Sequence, residues 1–284
     1  MKYVKQKQEK EPNAHNITDR KSTNMKISTS SFKGIIRNTG KLLLATMVVG
    51  TGMLINAQST FAQVSGYSFT QSSGTFTALP SPVLAVATNS DDVNSAAVTI
   101  PFTFTYDGVA YTKVKMNSNG HIRMGNVNPT SSYFPLSTAS NTGAIAGFGR
   151  DGRAFGGIGY QTLGTTPNQI FVIQYLAFRP QYNSSANFMD FQIRLHETTN
   201  EVEIIYGSST RASTYTGDIG LRGAIATGDF NVRTTTTNWA ATTAGATNAA
   251  NVRWSTSVGP ASGQTYTWTP PVACSGTPAT PTLT

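Results

Sequence analysis

The chain has 284 residues and a formal charge of +8 at pH 7, a balance that at first sight suits a polyanionic partner. The charge is concentrated at one end: residues 1–62 hold ten of the 21 Lys and Arg and three of the 13 Asp and Glu, so the other 222 residues are almost neutral. Such a body supplies no dense basic patch for a phosphate backbone, which sets nucleic-acid binding aside, and the single cysteine, Cys274, excludes an internal disulfide framework.

The first segment has the grammar of an export signal. Lys26, Lys33, Arg37 and Lys41 precede an apolar run from Leu42 to Ile55, and small residues follow it. The run is too short for a spanning helix, which needs roughly 20 apolar residues. Cleavage is expected after Ala57 or after Ala62, and the polar, mixed-charge stretch before Met25 suggests Met25 as the true start. A retained signal-anchor is the alternative. The run is followed by no lipid-accepting cysteine, so the expected location is secreted or at the cell surface, with no stable membrane span.

From residue 63 the composition turns to Thr, Ser, Asn, Gly and spaced aromatics, and apolar residues recur with period two over 99–106, 109–116, 170–175, 188–196 and 202–206. Turn residues separate these runs, as at Asp107-Gly108, Asn117 to Gly120 and Thr198 to Asn200. Many short alternating strands predict an all-β antiparallel sandwich of two sheets, jelly-roll-like, over residues 63–269. From Pro270 to Thr284 the Pro-rich composition predicts a linker to a further module.

Two hairpin registers follow from matching apolar faces. Val114 and Met116 must share a face with Ile122 and Met124, which requires a three-residue loop, Ser118-Asn119-Gly120, with Gly120 at positive φ. That register sets Lys115 across from Arg123 and Asn117 across from His121, leaving Lys113, Lys115 and Arg123 as a cationic face expected to be wet or to meet acids, and a candidate binding surface. In the second hairpin Leu195 should face Val202 across a Thr198-Thr199 turn, placing Arg194 opposite Glu203 and His196 opposite Glu201.

The second register bears on catalysis. Glu201 and Glu203 at i and i+2 share a strand face roughly 7 Å apart, a separation used by inverting glycosidases, so a jelly-roll polysaccharide hydrolase is one reading. Cross-strand ion pairing is the other and the preferred one. No Gly-x-Ser-x-Gly elbow and no zinc-spaced His or Cys set occurs, so the chain is expected to be non-catalytic and without a bound cofactor. One loop, Asn89 to Ser95, is rich in oxygen, and Asp91, Asp92 and Asn94 are candidate calcium ligands. Tyr133, Phe134, Tyr182 and Trp239 lie among polar loop residues and are candidates for stacking on sugars, which makes a calcium-assisted carbohydrate-binding module the alternative function.

The order of motifs "AAVTIPFTFTYDGVAYTKVKMNSNGHIRMG" (Ala96 to Gly125), "GAIAGFG" (Gly143 to Gly149), "YQTLGTTPNQIFVIQYLAF" (Tyr160 to Phe178) and "FQIRLHETTNEVEIIYG" (Phe191 to Gly207) resembles the N-terminal β-sandwich module of large Bacteroidota surface proteins of the type IX secretion kind. That module is distantly similar to the nidogen-like extracellular domain. The resemblance covers residues 66 to 274, and its motifs are structural. It implies a non-catalytic, adhesin-like extracellular module whose partners are extracellular proteins or glycan surfaces, followed in the full chain by immunoglobulin-like or fibronectin type III repeats. One departure lies after the Ile-Ala-x-Phe strand: relatives tend to carry an aromatic residue followed by acids, and this chain has Gly149-Arg150-Asp151-Gly152-Arg153.

Overall fold

The structure is a computed structural model that describes residues 63–224, 228–249 and 251–272. The expected signal peptide, the Met25 start, both cleavage positions, most of the expected linker and Cys274 lie outside these residues.

Among the described residues, sixteen strands follow one another. The first half comprises β1 (Ser68–Ser73), β2 (Val83–Val86), β3 (Val98–Tyr106), β4 (Val109–Asn117), β5 (His121–Met124), β6 (Ala144–Gly149), β7 (Arg153–Ala154) and β8 (Ile158–Leu163). The second half comprises β9 (Ile170–Arg179), β10 (Phe188–His196), β11 (Val202–Thr210), β12 (Tyr215–Arg222), β13 (Phe230–Thr234), β14 (Thr243–Ala244), β15 (Val252–Trp254) and β16 (Gln264–Thr269). They form two antiparallel sheets packed as a sandwich. One has the order β1-β16-β11-β10-β9-β8-β2 with β7 added against β9, and the other β14-β13-β12-β6-β5-β4-β3 with β15 added against β12.

The alternation of β3 shows how the sequence selects this architecture. Val98, Ile100, Phe102, Phe104 and Tyr106 are buried while Thr99, Pro101 and Thr103 face outward. Pro101, which cannot donate to a ladder, falls where the β3–β4 register shifts between Thr99 and Phe104, on the edge strand of its sheet. Between the sheets the core is dominated by aromatic rings: Tyr175 stacks on Phe191 with centroids 4.5 Å apart, and Trp239 stacks on Phe148 at 5.8 Å. Buried tyrosines spend their hydroxyls on carbonyls of the facing sheet: Tyr206 donates to Gly147 at 2.7 Å, and Tyr175 donates to His121 at 2.8 Å and Asn117 at 3.1 Å. Each ring therefore buries a large apolar area without orphaning its polar tip.

Both hairpins take the registers read from the apolar pattern. Val114 faces Met124, Lys115 faces Arg123, Met116 faces Ile122 and Asn117 faces His121, with Gly120 at φ 80° in the three-residue loop. In the second hairpin Leu195 faces Val202 and Arg194 faces Glu203. Its turn is wider than the expected two residues: the Asn200 N–H donates to the His196 carbonyl, and Asn200 sits at φ 54°, a left-handed conformation that Asn tolerates. Glu197 explains the extra width, since its backbone N–H donates to the Gln169 carbonyl and its carboxylate accepts from the Gln169 N–H.

The chain enters beside its own exit. Ser68 of β1 pairs with Thr269 of β16. Just before β1, the N–H of Val64 reaches carboxylate oxygens of both Asp107 and Asp229 at 3.2 Å, and the Ser65 N–H donates to Asp229 at 2.8 Å.

Candidate functional site

The β4–β5 tip is buried rather than wet. Asn117, Ser118, Asn119 and His121 are fully inaccessible, and Gly120 among them is buried. The tip is held from three sides: the Val93 carbonyl accepts the Ser118 N–H, the Asn119 carbonyl accepts the Arg150 N–H, and the Gly120 carbonyl accepts from Gly147. Burial pushes the His121 pKa down to about 4, so the ring is neutral at pH 7 and serves as core.

The cationic face of this hairpin is occupied. Arg123 donates through Nε to the Thr142 carbonyl at 2.9 Å and through Nη1 to the Asn128 carbonyl at 3.1 Å, and Lys115 Nζ donates to Asn128 Oδ1 at 2.6 Å. The face was expected to be wet or to meet acids, and it remains part-exposed. The partners are instead neutral oxygens of the long β5–β6 connection, which folds back over the sheet and uses both side chains as its supports. Lys113 stands exposed across from Thr99, away from this contact.

That same connection, together with the β2–β3 and β6–β7 loops, gathers most of the polar chemistry at one end of the sandwich. The β2–β3 loop is stitched to β7 by paired backbone bonds between Ser90 and Ala154, and to the hairpin tip by Val93 and Ser118. This brings the carboxylates of Asp91 and Asp92 together with that of Asp151, which follows β6, so that ligand oxygens of all three lie within 4.8 Å of one another. Arg153 reaches Asp91 Oδ2 at 3.1 Å and Asn89 Oδ1 at 3.0 Å. The Asn119 carboxamide, rising from the buried tip, donates through Nδ2 to Asp92 Oδ1 at 3.0 Å. Partial burial and the charges of Asp92 and Asp91 raise the Asp151 pKa against the opposing pull of Arg150. Asn94 is not part of this group: its Oδ1 accepts from Asn117 and its Nδ2 donates to the Pro129 carbonyl, so it braces the loop instead.

Arg150 organises the rim. Its guanidinium lies 4.6 Å from the Tyr133 ring centroid and 4.8 Å from that of Tyr215, and donates to the Thr216 carbonyl at 2.8 Å and to Gln181 Oε1 at 2.9 Å. Tyr133, 45 % exposed, also packs edge-on against the half-buried Phe134. Tyr182, 38 % exposed, is tied by its N–H to the Asp151 carbonyl. Two of the four predicted aromatics therefore stand exposed on the loops that surround the three aspartates.

Trp239 does not join them. Asn238 caps a single 3-10 turn over Trp239–Ala241 that swings the indole inward, where it is 1 % exposed and donates to the Arg253 carbonyl at 2.7 Å. It is a core residue, and its burial rules out the ligand-contact role expected from its Thr-rich surroundings.

Glu201 and Glu203 lie far along the opposite direction of β11 and are engaged. Glu203 pairs with Arg194 at 2.7 Å and lies 3.8 Å from His196 Nε2, so His196 meets Glu203 diagonally and not its direct neighbour Glu201. Glu201 accepts from the hydroxyls of Thr269 and Thr199. Asp151, Asn119 and Arg150 are the site residues that motif reading did not select. The one signal for Arg150 and Asp151 was the abrupt change from the fully buried Ala144–Gly149 strand to Arg-Asp-Gly-Arg.

A family model described as NIDO related matches residues 66–270, almost the whole of the described sandwich. Comparison with curated proteins and with solved structures gives no match.

Proposed function

The chain belongs to the NIDO-related family, and from that premise we propose that it is a non-catalytic extracellular module of an adhesin-like surface protein. The observation that carries this reading is the family match over the whole sandwich, supported by the engagement of Glu201 and Glu203 in the β10–β11 hairpin and its neighbours, which removes the motive for a hydrolase. No helix among the described residues is long and apolar enough to cross a membrane. The export-like leader supports delivery outside the cell, and the motif order supports a Bacteroidota protein of the type IX kind with further repeats downstream. Protease shaving of intact producing cells tests the placement: release of the chain's peptides is the expected result, and full protection overturns it. Incubation with a polysaccharide panel tests the non-catalytic assignment, which hydrolysis abolished by Glu203→Gln would overturn.

A second reading, carbohydrate binding, is favoured by one observation: Tyr133 and Tyr182 are both exposed at the loop end that carries the three aspartates. A glycan array with the full chain tests it. Binding lost in Tyr133→Ala or Tyr182→Ala supports a sugar platform, and silence across the array leaves protein adhesion as the module's task.

A further inference from the structure

We propose that the β5–β6 connection, residues 126–142, is a hinged strap latched at Leu136, which opens while the two sheets stay folded and so controls access to the outer face of β5, β6, β12 and β13.

The hinge is a pair of glycines. Gly125 and Gly143 flank the connection at φ 88° and 73°. The Met124 N–H donates to the Gly143 carbonyl at 3.0 Å, so both ends of the strap leave the sheet at one point, as in an Ω-loop. A Cβ at either glycine would meet nothing closer than 3.5 Å. Glycine is needed there for its backbone angle alone, and no tightly packed neighbour at the hinge stops the strap from turning.

The latch is one residue held by both of its backbone groups. Asp218 Oδ2 accepts the Leu136 N–H at 3.1 Å, and Arg222 Nη1 donates to the Leu136 carbonyl at 2.6 Å. The Leu136 side chain packs on Ala144, Ala146 and Val232. Apart from Leu136, the strap buries only Pro129, Pro135 and Asn141, and its further ties to the sheet, such as Lys115 and Arg123 to Asn128, are polar. Little apolar area therefore holds a long segment, the mark of a unit that opens before the whole domain does. Closure also leaves Asp218 Oδ1, Arg222 Nε and His121 Nε2 buried without partners, and opening hydrates all three. It uncovers the cross-strand row His121, Ala146, Gly220 and Val232, and lifts Tyr133 off Arg150.

The strap carries no charged side chain, so its control lies in the sheet. The charged groups on the elements around Asp218 are engaged elsewhere: Arg222 of β12 on Leu136 and Ala139, Arg150 behind β6 on Thr216 and Gln181, and Arg233 of β13 on Thr242. On the strap itself the one titratable group is Tyr133, stacked against Arg150. Burial raises the Asp218 pKa to about 8 under the closed strap, and exposure returns it toward about 3.9. Opening therefore releases a proton and becomes about tenfold more favourable per pH unit until the closed value is reached. The inference rests on neither functional reading.

Hydrogen exchange of the full chain, corrected for intrinsic chemical rates, tests it. At pH 6.5 the Leu136 amide should be protected at least about 100-fold less than the amides of β10, yet more than in an unstructured chain. Between pH 6.5 and 8, above the range in which His121 titrates, its protection should fall at least about tenfold in wild type and stay nearly flat in Asp218→Asn. Leu136→Ala should lower strap protection at least about tenfold while keeping the wild-type circular dichroism. Protection of the strap equal to that of β10 would mean that it opens only by global unfolding, which overturns the proposal. No protection at pH 6.5 overturns the latch, and a pH-dependent fall retained in Asp218→Asn overturns the control by that carboxyl.

Discussion

Gly120 lies against the Phe148 carbonyl so closely that a Cβ on Gly120 would stand 2.2 Å from that oxygen. The contact is the point at which the β4–β5 tip is locked to β6, and Gly120 occupies it at φ 80°. Gly120→Ala therefore meets both a left-handed backbone and a steric overlap, and should cost about 3 kcal/mol or more. Urea denaturation monitored by tryptophan fluorescence measures it, and a loss under about 1 kcal/mol would mean that the tip is not so clamped.

Trp239→Ala separates the core role of that residue from a ligand role. The indole stacks on Phe148 and meets the Tyr206 ring edge-on at 5.1 Å, so truncation should cost about 3–5 kcal/mol. Unchanged stability with altered binding to any surface ligand would contradict the burial.

Stability should fall as pH rises from about 6.5 to 8. Complete burial pushes the Asp218 carboxyl up to about 8 while its Oδ2 accepts from the Leu136 N–H. A carboxyl with a raised folded pKa contributes stability that is present below its unfolded value near 3.9 and is lost as pH climbs to the folded value. Asp107, raised to about 6 by burial and by its hydrogen bond with Asp229, loses its contribution earlier. His121 acts in the opposite sense: with its pKa lowered, its contribution is present above about 6.5 and lost as pH falls toward 4. The two signs oppose one another below 6.5, and above it the Asp218 contribution stands alone. Thermal melts from pH 6.5 to 8 should show a falling midpoint in wild type and a nearly flat one in Asp218→Asn. A slope retained in the variant would assign the effect elsewhere.

Glu203→Gln should change little. The Arg194–Glu203 pair is part-exposed on the sheet surface, and Arg194 keeps two donors on Gln192 Oε1. A loss of at most about 1 kcal/mol is expected, read most cleanly from a double-mutant cycle with Arg194→Met.

How much of this was legible in the sequence depended on the range of the interactions involved. Met116 with Ile122 and Leu195 with Val202 are partners a few residues apart, and period-two alternation alone fixed their registers. The occupants of the Lys115–Arg123 face come from the β5–β6 connection, whose Asn128 and Thr142 carry no charge and no periodic signal. Asp151 meets Asp91 only because β7 pairs with β9 and bridges to Ser90, a juxtaposition of residues sixty positions apart. Trp239 misled through local composition: the Thr-rich segment around it is exposed, and a single capped turn reverses the direction of one side chain.

The pairing of Ser68 with Thr269 has a mechanical consequence. Tension entering at residue 63 and leaving at residue 272 acts on the same end of the β1–β16 ladder, so it would part Ser68 from Thr269 before Phe69 from Trp268, peeling the strands one rung at a time instead of shearing all rungs together. Ahead of that ladder stand the grip of Asp107 and Asp229 on the Val64 and Ser65 amides, the bonds of the Asn231 carboxamide to the Val64 and Tyr67 carbonyls, and the burial of the Val64 and Tyr67 side chains in the core. Under such a load, this clasp of carboxyls, carboxamide and buried side chains would set the force at which the sandwich begins to yield.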